Sequence, residues 1–227
     1  MSLPSYSILI PAYNSQSSIG ELIDQIIKIE NKPDAIIVVN DGSKDNTSEI
    51  ANSKNVIVYD SIKNYGKGNA LKKGFEIFIS KTESDYVLCM DADLQHEPAS
   101  INSFLKKTTN NAKPVVVGKR DFKIGQMPFL RYLSNTFTSA ILSKISGQNI
   151  EDSQCGFRLI KRDIIKQVKT KENGFQFESE FLIECAKKKI EINFVSIPTI
   201  YNNSASNISH IKDTFKFTQL ILKEIFT

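Results

Sequence analysis

Two carboxylates stand one residue apart in this sequence, directly after an apolar run. Residues 86–90 form that run, and Asp91 and Asp93 follow it. If the run is a buried strand, Asp91 lies at its carboxyl end, where open α/β sheets form their ligand crevices. Side chains two residues apart in an extended chain point the same way, and such oxygen donors suit a divalent cation shared with substrate phosphates. A turn that only caps the next helix explains the same residues, so the pair alone leaves both interpretations open.

Two other apolar runs end in residues that can line a nucleotide site. Residues 7–10 end at Pro11, and residues 35–39 end at Asn40 and Asp41. A carboxylate at a strand end can accept a hydrogen bond from a ring N–H of a base, and it can also serve as a turn cap. Because parallel strands end at the same edge of a sheet, we expect Pro11, Asp41 and Asp91 to converge on one cleft.

A glycine-rich segment precedes a helical pattern in the first half of the chain. Gly66-Lys67-Gly68 comes before Ala70, Leu71 and Phe75, which have helical spacing. Glycines let the backbone approach a phosphate at a helix N-terminus, and Lys67 adds positive charge there. The segment is not a nicotinamide-cofactor fingerprint, because that motif follows the first strand and has a third glycine.

The apolar pattern predicts the elements that position these residues. Over the first ~120 residues, continuous apolar runs alternate with amphipathic helices, which is typical of a parallel sheet covered on both faces. In the second half we expect a strand at residues 115–117, a long helix from Pro128 to Gly147, a return strand at residues 155–160 and a helix through Phe181. Residues 192–200 alternate as in a half-exposed strand, and residues 215–226 have the pattern of an amphipathic helix.

Composition restricts the class of protein. The chain has 227 residues, 41% of them hydrophobic, which fits one sizeable globular domain. Its net charge of +4 permits an acidic substrate or an anionic membrane surface and is too weak to indicate nucleic acid binding. Three cysteines without metal-ligand spacing indicate reduced thiols in the cytoplasm. No apolar run reaches the ~18 residues of a membrane span, and the N-terminus lacks the pattern of a signal peptide.

Five motifs stand in the order found in one enzyme family. They are Pro11-Ala12-Tyr13-Asn14, Asn40-Asp41-Gly42-Ser43, Asn64-Tyr65-Gly66-Lys67-Gly68, Asp91-Ala92-Asp93-Leu94-Gln95 and Gln154-Cys155-Gly156-Phe157-Arg158. Each is weak alone, but together and in this order they are specific. The chain resembles the inverting GT-A glycosyltransferases of glycosyltransferase family 2, in the branch that makes polyprenyl- or dolichyl-phosphate sugars. The resemblance spans residues 7–210, most of the chain.

The resemblance implies an α/β protein with the GT-A fold. This fold is a single Rossmann-like, doubly wound, mostly parallel sheet with helices on both faces and an acceptor-side α+β extension. One glycosyltransferase domain would cover residues 1–227. Within it, residues 5–120 would form the nucleotide-sugar-binding half, residues 121–210 the acceptor half and residues 211–227 a C-terminal amphipathic helix.

The resemblance also implies the donor-side residues. Those that bind the nucleotide sugar would be Pro11, Tyr13, Asp41, Lys67, Asp91, Ala92 and Gln95. Those that bind Mg²⁺ or Mn²⁺ would be Asp91, Asp93 and Gln95, and the cation would stabilise the leaving nucleotide as a Lewis acid. The donor would be a UDP- or GDP-sugar, since pyrimidine and purine donors share these motifs.

On the acceptor side the resemblance implies a second set of residues. The residues that contact the donor or acceptor phosphate would be Arg120, Arg131, Ser209 and His210. Those with catalytic roles would be Asp93, Arg120 and Asp152. A lipid phosphate is already an anion, so positioning and the cation can supply most of the catalysis without a strong general base.

A hydroxyl acceptor would change this requirement. Asp152, Glu178 or Glu180 would then have to take the proton of the hydroxyl. Glu178 and Glu180 are explained equally well as solvated charges at the start of a helix.

We therefore expect a metal-dependent inverting hexosyltransferase that uses a polyprenyl (dolichyl or undecaprenyl) phosphate in cell-envelope glycan synthesis. One alternative is the same chemistry on a hydroxyl of a glycan or glycolipid. Another is a catalytically impaired nucleotide-sugar-binding protein, because Ser15, Asn40 and His210 depart from the family pattern. The chain would be cytoplasmic, and residues 215–226 would lie on the inner face of the membrane or pack in the core or a homodimer.

Overall fold

The computed structural model describes residues 3–109, 112–120, 129–198 and 200, and the side chains of residues 129–135 are outside that description. Its strands are β1 Tyr6–Ala12, β2 Ile36–Asn40, β3 Ile57–Asp60, β4 Tyr86–Cys89, β5 Val115–Arg120, β6 Arg158–Lys161 and β7 Ile192–Ile197. Its helices are α1 Ile19–Ile27, α2 Thr47–Asn52, α3 Lys67–Lys81, α4 Ile101–Thr109, α5 Phe129–Ser146, α6 Arg162–Gln167 and α7 Phe177–Lys187. A single turn of 3-10 helix, Pro98–Ser100, precedes α4.

The strands form one sheet in the order β3-β2-β1-β4-β6-β5-β7. β1 pairs in parallel with β2 and β4, and β2 pairs in parallel with β3. β6 is antiparallel to both of its neighbours, and β7 is parallel to β5. The predicted α/β fold with a doubly wound, mostly parallel sheet is therefore confirmed, and β6 is the predicted return strand.

The strand order creates a crevice in the middle of the sheet. The chain moves outward from β1 through β2 to β3 and then returns to β4 on the other side of β1. At such a topological switch point the connections leave the strand ends in opposite directions, which opens a ligand crevice at their carboxyl ends. Asp91 follows β4 at this point.

The core explains why the first strands are continuously apolar. Their side chains point alternately to two faces, and both faces are covered by helices, so no position is left for a polar residue. The fully buried residues of these strands include Ile8, Leu9, Ile10, Ile37, Val38, Val39, Val87 and Leu88. α1 covers them with Ile19, Leu22, Ile23 and Ile26, whereas Ile27 points away and is 42% exposed.

α3 lies unusually close to β1. A Cβ atom on Gly74 would meet Leu9 Cδ1 at 2.1 Å, so only glycine permits this separation between helix and strand. The close packing fixes the height of α3 above the sheet. Its first turn, which starts at Lys67, is thereby held next to the end of β4.

The second half agrees with the expected elements, and the chain has two helices that were not expected, one in each half. β6 begins at Arg158, later than the return strand predicted at residues 155–160. β7 has the mixed burial expected of a half-exposed strand. α4 was not anticipated, although its buried residues Ile101, Phe104, Leu105 and Thr108 have helical spacing. The short α6 was also not anticipated.

Several predicted features lie outside the described residues. The predicted start of the long helix at Pro128 precedes the described part of α5, and the tail helix at residues 215–226 belongs to residues 201–227. Within the described part of the chain, no helix combines the length and apolar character needed to cross a membrane.

Candidate functional site

The ends of β1, β2 and β4 lie side by side, as predicted. Asp41 N donates to Ala12 O at 2.8 Å, so the first residue after β2 is bonded to the last residue of β1. Met90 N donates to Leu9 O at 3.1 Å, which continues the ladder between β4 and β1 beyond the last residue of β4. The residues that follow these strands therefore share one edge of the sheet.

Asp41 is buried and holds the segment that precedes α3. Its Oδ1 accepts from Tyr65 N at 3.0 Å, and its Oδ2 accepts from Gly66 N at 2.7 Å. A carboxylate oxygen has two lone-pair directions, so each oxygen keeps one for a ligand. Asp41 thus serves as a cap for this turn, and its contact with a base stays a prediction.

The loops after β1 and β2 are fastened to each other. Asn14 has a positive φ of 50°, and its N donates to Ser43 Oγ at 2.8 Å while its Oδ1 accepts from Lys44 N at 2.9 Å. Asn40 donates to Asp60 Oδ1 at 2.8 Å. Pro11 and Tyr13 are half-buried beside these loops. The expected wall of the nucleotide site is therefore a bonded unit.

A buried cluster of charges lies where β4 ends. Lys67 Nζ is 2.6 Å from Asp91 Oδ1 and 2.7 Å from Glu178 Oε1. The Glu178 side chain is only 5% exposed. Burial alone would lower the pKa of Lys67, but the two carboxylates outweigh it and raise the pKa above its ordinary value. Lys67 is therefore charged and is shared between the two acids.

Asp91 stays ionised in this cluster. Burial favours its neutral form, but the charges of Lys67 and Arg120 and the Lys67 hydrogen bond together lower the pKa of Asp91 to about 2. Gly156 makes room for it, because a Cβ atom there would lie 2.8 Å from both Asp91 oxygens and 3.0 Å from Lys67 Nζ. The glycine of the Gln154–Arg158 motif thus serves the Asp91 site.

Two glycines before and in α3 have a role that differs from the expected one. A Cβ atom on Gly66 would lie 2.5 Å from Asn173 O, and one on Gly68 would lie 2.8 Å from Glu172 O. Asn69 N donates to the same Asn173 O at 3.1 Å. The backbone that approaches the start of α3 closely is therefore that of residues 172–173, where the sequence had suggested a phosphate.

The turn after Asp91 has a strained backbone and sets the orientation of the Asp93 side chain. Leu94 has a φ of 62°, a left-handed conformation that is costly for a residue other than glycine. Gln95 N donates to Asp93 Oδ1 at 3.0 Å, and Ala92 is buried beneath the turn. Burial, followed by the negative charge of Asp91, raises the pKa of Asp93. A cation between the two carboxylates would remove this repulsion.

His96 belongs to the site and was missed in the sequence. Its Nδ1 accepts from Asp91 N at 3.0 Å, and its ring stacks on Phe157 with centroids 4.9 Å apart. Burial lowers the pKa of His96 to about 4, so the ring is neutral and carries its proton on Nε2. No local pattern marks a histidine for this position, because Phe157 comes from the distant Gln154–Arg158 motif.

Arg120 and Asp152 form a two-pronged ion pair. Arg120 Nε lies 2.7 Å from Asp152 Oδ2, and Nη2 lies 2.9 Å from Oδ1. Asp152 is fully buried and also accepts from Gln154 N at 3.1 Å. Asp152 raises the pKa of Arg120 against the opposing effect of burial. This geometry holds the guanidinium in a fixed orientation and uses both oxygens of Asp152.

Glu178 and Glu180 are not solvated charges at the start of a helix. Both are buried in the first turn of α7. Glu180 accepts from Lys171 N at 2.9 Å and from Glu172 N at 2.8 Å, which secures the segment that packs against α3. Each glutamate therefore has a defined partner, and the interpretation as solvent-exposed charges is wrong.

A second missed residue connects the parts of the site. Arg158 is buried and donates to Ser153 O at 2.9 Å, Cys155 O at 2.7 Å and Glu178 O at 2.6 Å. It thereby ties the segment after Asp152 to the start of α7. Only the contacts reveal this role, since an arginine at the end of a motif can equally lie on the surface.

The charge of the cluster fits a divalent cation. The carboxylates of Asp91 and Glu178 share the ammonium of Lys67, so these three groups carry one net negative charge next to Asp93. Carboxylate oxygens are donors that Mg²⁺ and Mn²⁺ prefer. Among the described residues no group of three or more His, Cys, Asp and Glu side chains is arranged as a metal cage, so phosphate oxygens and water would complete the coordination.

Some predicted site residues cannot be placed. Arg131 lies on α5, and its side chain is not among those described. Ser209 and His210 lie outside the described residues.

The chain is similar in sequence to the members of a known protein family. The model of the family described as "Glycosyl transferase family 2" matches residues 7–169. An uncharacterised protein of Methanocaldococcus jannaschii is 33% identical over 96% of this chain and 98% of its own length. A Methanococcus voltae protein named UDP-N-acetylglucosamine–dolichyl-phosphate N-acetylglucosaminyltransferase is 32% identical over 86% of this chain and 85% of its own length.

Solved structures share the fold at low identity. Glucosyl-3-phosphoglycerate synthase of Mycobacterium tuberculosis, in complex with Mn²⁺, UDP-glucose and phosphoglyceric acid, superposes with a TM-score of 0.77. It is 18% identical, and the match covers 97% of this chain and 79% of the other. This likeness supports the GT-A architecture predicted from the motifs.

Proposed function

This chain belongs to glycosyl transferase family 2 and is a glycosyltransferase, and from that premise we propose that it moves one sugar from a nucleotide-diphosphate sugar to a polyprenyl phosphate with inversion. The observation that carries the proposal is the cluster at the end of β4, where two carboxylates share the Lys67 ammonium beside an arginine that Asp152 holds in place. The name of the Methanococcus voltae relative supports a dolichyl-phosphate acceptor and a UDP-sugar donor.

The donor half of the site would bind the nucleotide. Pro11 and Tyr13 would pack against base and ribose, and the free lone pairs of Asp41 would accept from a base N–H. The hydrogen bonds between the loops after β1 and β2 support this assignment, because they hold the wall rigid before a ligand arrives. A rigid site loses less conformational entropy on binding.

Asp91 and Asp93, with Gln95 beside them, would hold Mg²⁺ or Mn²⁺, which would offset the excess charge and stabilise the leaving nucleoside diphosphate as a Lewis acid. Asp91 shares the Lys67 ammonium with Glu178, so part of its negative charge stays available to a cation. The raised pKa of Asp93 supports a cation at this place, because burial and the charge of Asp91 disfavour its ionised form and a cation would favour it. Neutral His96 adds no positive charge that would compete.

The acceptor half would orient an anion. Arg120 is aimed by Asp152, and a guanidinium held in this way suits a phosphate. Asp152, Glu178 and Glu180 already bind a cation or backbone N–H groups, which makes each a poor general base. This observation favours an acceptor that needs no deprotonation. We also propose residues 5–120 as the donor half and residues 121–210 as the acceptor half.

A transfer assay tests the proposal. Purified protein is screened with UDP- and GDP-sugars and Mn²⁺ for thermal stabilisation, and the best donor is then assayed for transfer to a polyprenyl phosphate and to glycan hydroxyls. We expect a rise in the melting temperature with one donor and product only with the lipid phosphate. Asp93→Asn should lower kcat/KM more than about a hundredfold, because several kcal/mol of charge stabilisation are lost.

Asp163→Asn, at an exposed position on α6, serves as the matched control and should transfer like the wild type. Product only with a glycan or glycolipid hydroxyl would refute the phosphate acceptor. Donor binding without transfer to any acceptor would identify a binding protein instead. Full activity of a well-folded Asp93→Asn variant in metal-free buffer would refute the role of the cation.

A further inference from the structure

We propose that Glu178 is a positioning residue that sets the cation affinity of the donor site through Lys67. The inference rests on the proposed function, because it concerns the cation that Asp91 and Asp93 would hold. Glu178 lies on α7 in the second half of the chain, whereas the two aspartates follow β4 in the first half.

The ammonium of Lys67 is divided between two carboxylates. Its Nζ lies at nearly equal distances from Asp91 and Glu178, 2.6 Å and 2.7 Å. A lysine paired with Asp91 alone would cancel the charge of that carboxylate and repel an incoming cation. With Glu178 as a second partner, the three groups keep one net negative charge next to Asp93.

The burial of Glu178 makes its charge effective. At 5% exposure its carboxylate is poorly screened by water, so its field reaches the neighbouring groups more strongly than a surface charge would. Its main chain is also held, because Arg158 Nη1 donates to the backbone oxygen of Glu178 at 2.6 Å. The start of α7, from which the carboxylate extends to Lys67, therefore has a fixed position.

The contact between α3 and α7 keeps the two charges together. The rings of Phe75 on α3 and Phe177 on α7 have centroids 6.2 Å apart. A Cβ atom on Gly68 would lie 2.8 Å from Phe177 Cβ, so the helices approach each other closely next to Lys67. This packing presents Glu178 to the ammonium as part of a rigid frame, which a positioning residue requires.

A merely structural ion pair between α3 and α7 would have different consequences. Its loss would lower stability, and any change in cation affinity would not depend on whether Lys67 is present. A residue that acts through Lys67 has no effect once Lys67 is removed. Without the ammonium, no group connects Glu178 to Asp91, so glutamine in place of Glu178 changes cation affinity little.

A double-mutant cycle distinguishes these cases. The binding of Mn²⁺ in the presence of UDP is measured by calorimetry for the wild type, Glu178→Gln, Lys67→Met and the double variant. We expect Glu178→Gln to weaken Mn²⁺ binding roughly tenfold in the wild-type background and less than about twofold in the Lys67→Met background. Lys67→Gln replaces Lys67→Met in the cycle if the methionine variant lacks a cooperative unfolding transition.

Glu180→Gln is the matched control, since Glu180 is equally buried on the same turn of α7 and binds backbone N–H groups of residues 171–172. We expect it to change Mn²⁺ affinity less than about threefold. Unchanged affinity in Glu178→Gln, or the same loss in both backgrounds, would overturn the inference and leave the proposed function intact. No Mn²⁺ binding by the wild type would overturn both.

Discussion

Arg120 and Asp152 are joined by two parallel hydrogen bonds, although one lies at the end of β5 and the other precedes β6 in a separate loop. The carboxylate is fully buried, and the guanidinium remains partly accessible. The pair thus presents a positive group to the site while hiding the negative one. The two bonds to Asp152 hold the Arg120 guanidinium in one orientation.

Asp152→Asn should therefore act on the binding of the acceptor. We expect KM for the acceptor to rise about tenfold or more, because Arg120 loses its charged partner and its fixed orientation. The shape of the pH profile of kcat/KM should stay unchanged. Breaking a buried pair should also lower the free energy of unfolding by about 3 kcal/mol. A lost acidic limb in the pH profile would instead identify Asp152 as a general base.

Gly156→Ala should disable the cation site with little effect on the fold. The new Cβ atom would press on both Asp91 oxygens at 2.8 Å and on Lys67 at 3.0 Å, so these groups must separate. We expect Mn²⁺ binding to weaken at least tenfold in calorimetry. Gly174→Ala is the control, because its Cβ atom would meet only the end of the Gln176 side chain, which can move aside. Equal affinity of the two variants would contradict the role of Gly156.

His96 should make the protein less stable as the pH falls. The unfolded chain binds a proton at His96 below pH 6.5, whereas burial keeps the folded chain neutral there until about pH 4. The contribution of His96 to stability is thus fully present above pH 6.5 and decreases as the pH falls from 6.5 to 4. The loss between pH 7.5 and pH 5.0 is about 2 kcal/mol.

His96→Asn is the matching variant, because its amide oxygen can accept from Asp91 N without titrating. Urea unfolding at the two pH values should show a smaller loss for the variant than for the wild type. Parallel losses would mean that His96 is already protonated or is exposed in the folded protein.

Cys185 should contribute the opposite dependence at high pH. Burial raises the pKa of its thiol to about 12, so between pH 9 and pH 12 only the unfolded chain ionises it. The contribution of Cys185 to stability is therefore fully present below pH 9 and decreases above it, by about 1.4 kcal/mol at pH 10. Cys185→Ala should reduce the loss measured by urea unfolding between pH 8 and pH 10, while the buried thiols of Cys89 and Cys155 maintain the rest. Rapid reaction of the native thiol with a maleimide would contradict this burial.

The parts of the site that sequence reasoning recovered are those with local signals. Residues 86–90 form a buried strand because both faces of the sheet are covered, and this alone places Asp91 at the ligand edge. The convergence of Asp41 and Asp91 follows from the parallel strand order. The turn at Leu94 lies within the short Asp91–Gln95 motif, so recognition of the motif also located the turn.

The parts that it missed depend on contacts between distant segments. His96 receives its neighbour Phe157 from the second half of the chain, and Lys67 receives its second carboxylate from α7. Gly66 was expected to face a phosphate because glycine permits any close approach, and the sequence does not say which group approaches. Here that group is a carbonyl of residue 173.

The position of β6 between β4 and β5 determines when the sheet can be completed during synthesis. β4 ends at Cys89, but its neighbour on one side begins only at Arg158. A nascent chain that has reached residue 120 therefore carries a central strand with an open hydrogen-bonding edge and waits for a late segment to close it. We therefore expect that residues 5–120 do not fold alone, and that a fragment that stops before β6 aggregates through that edge.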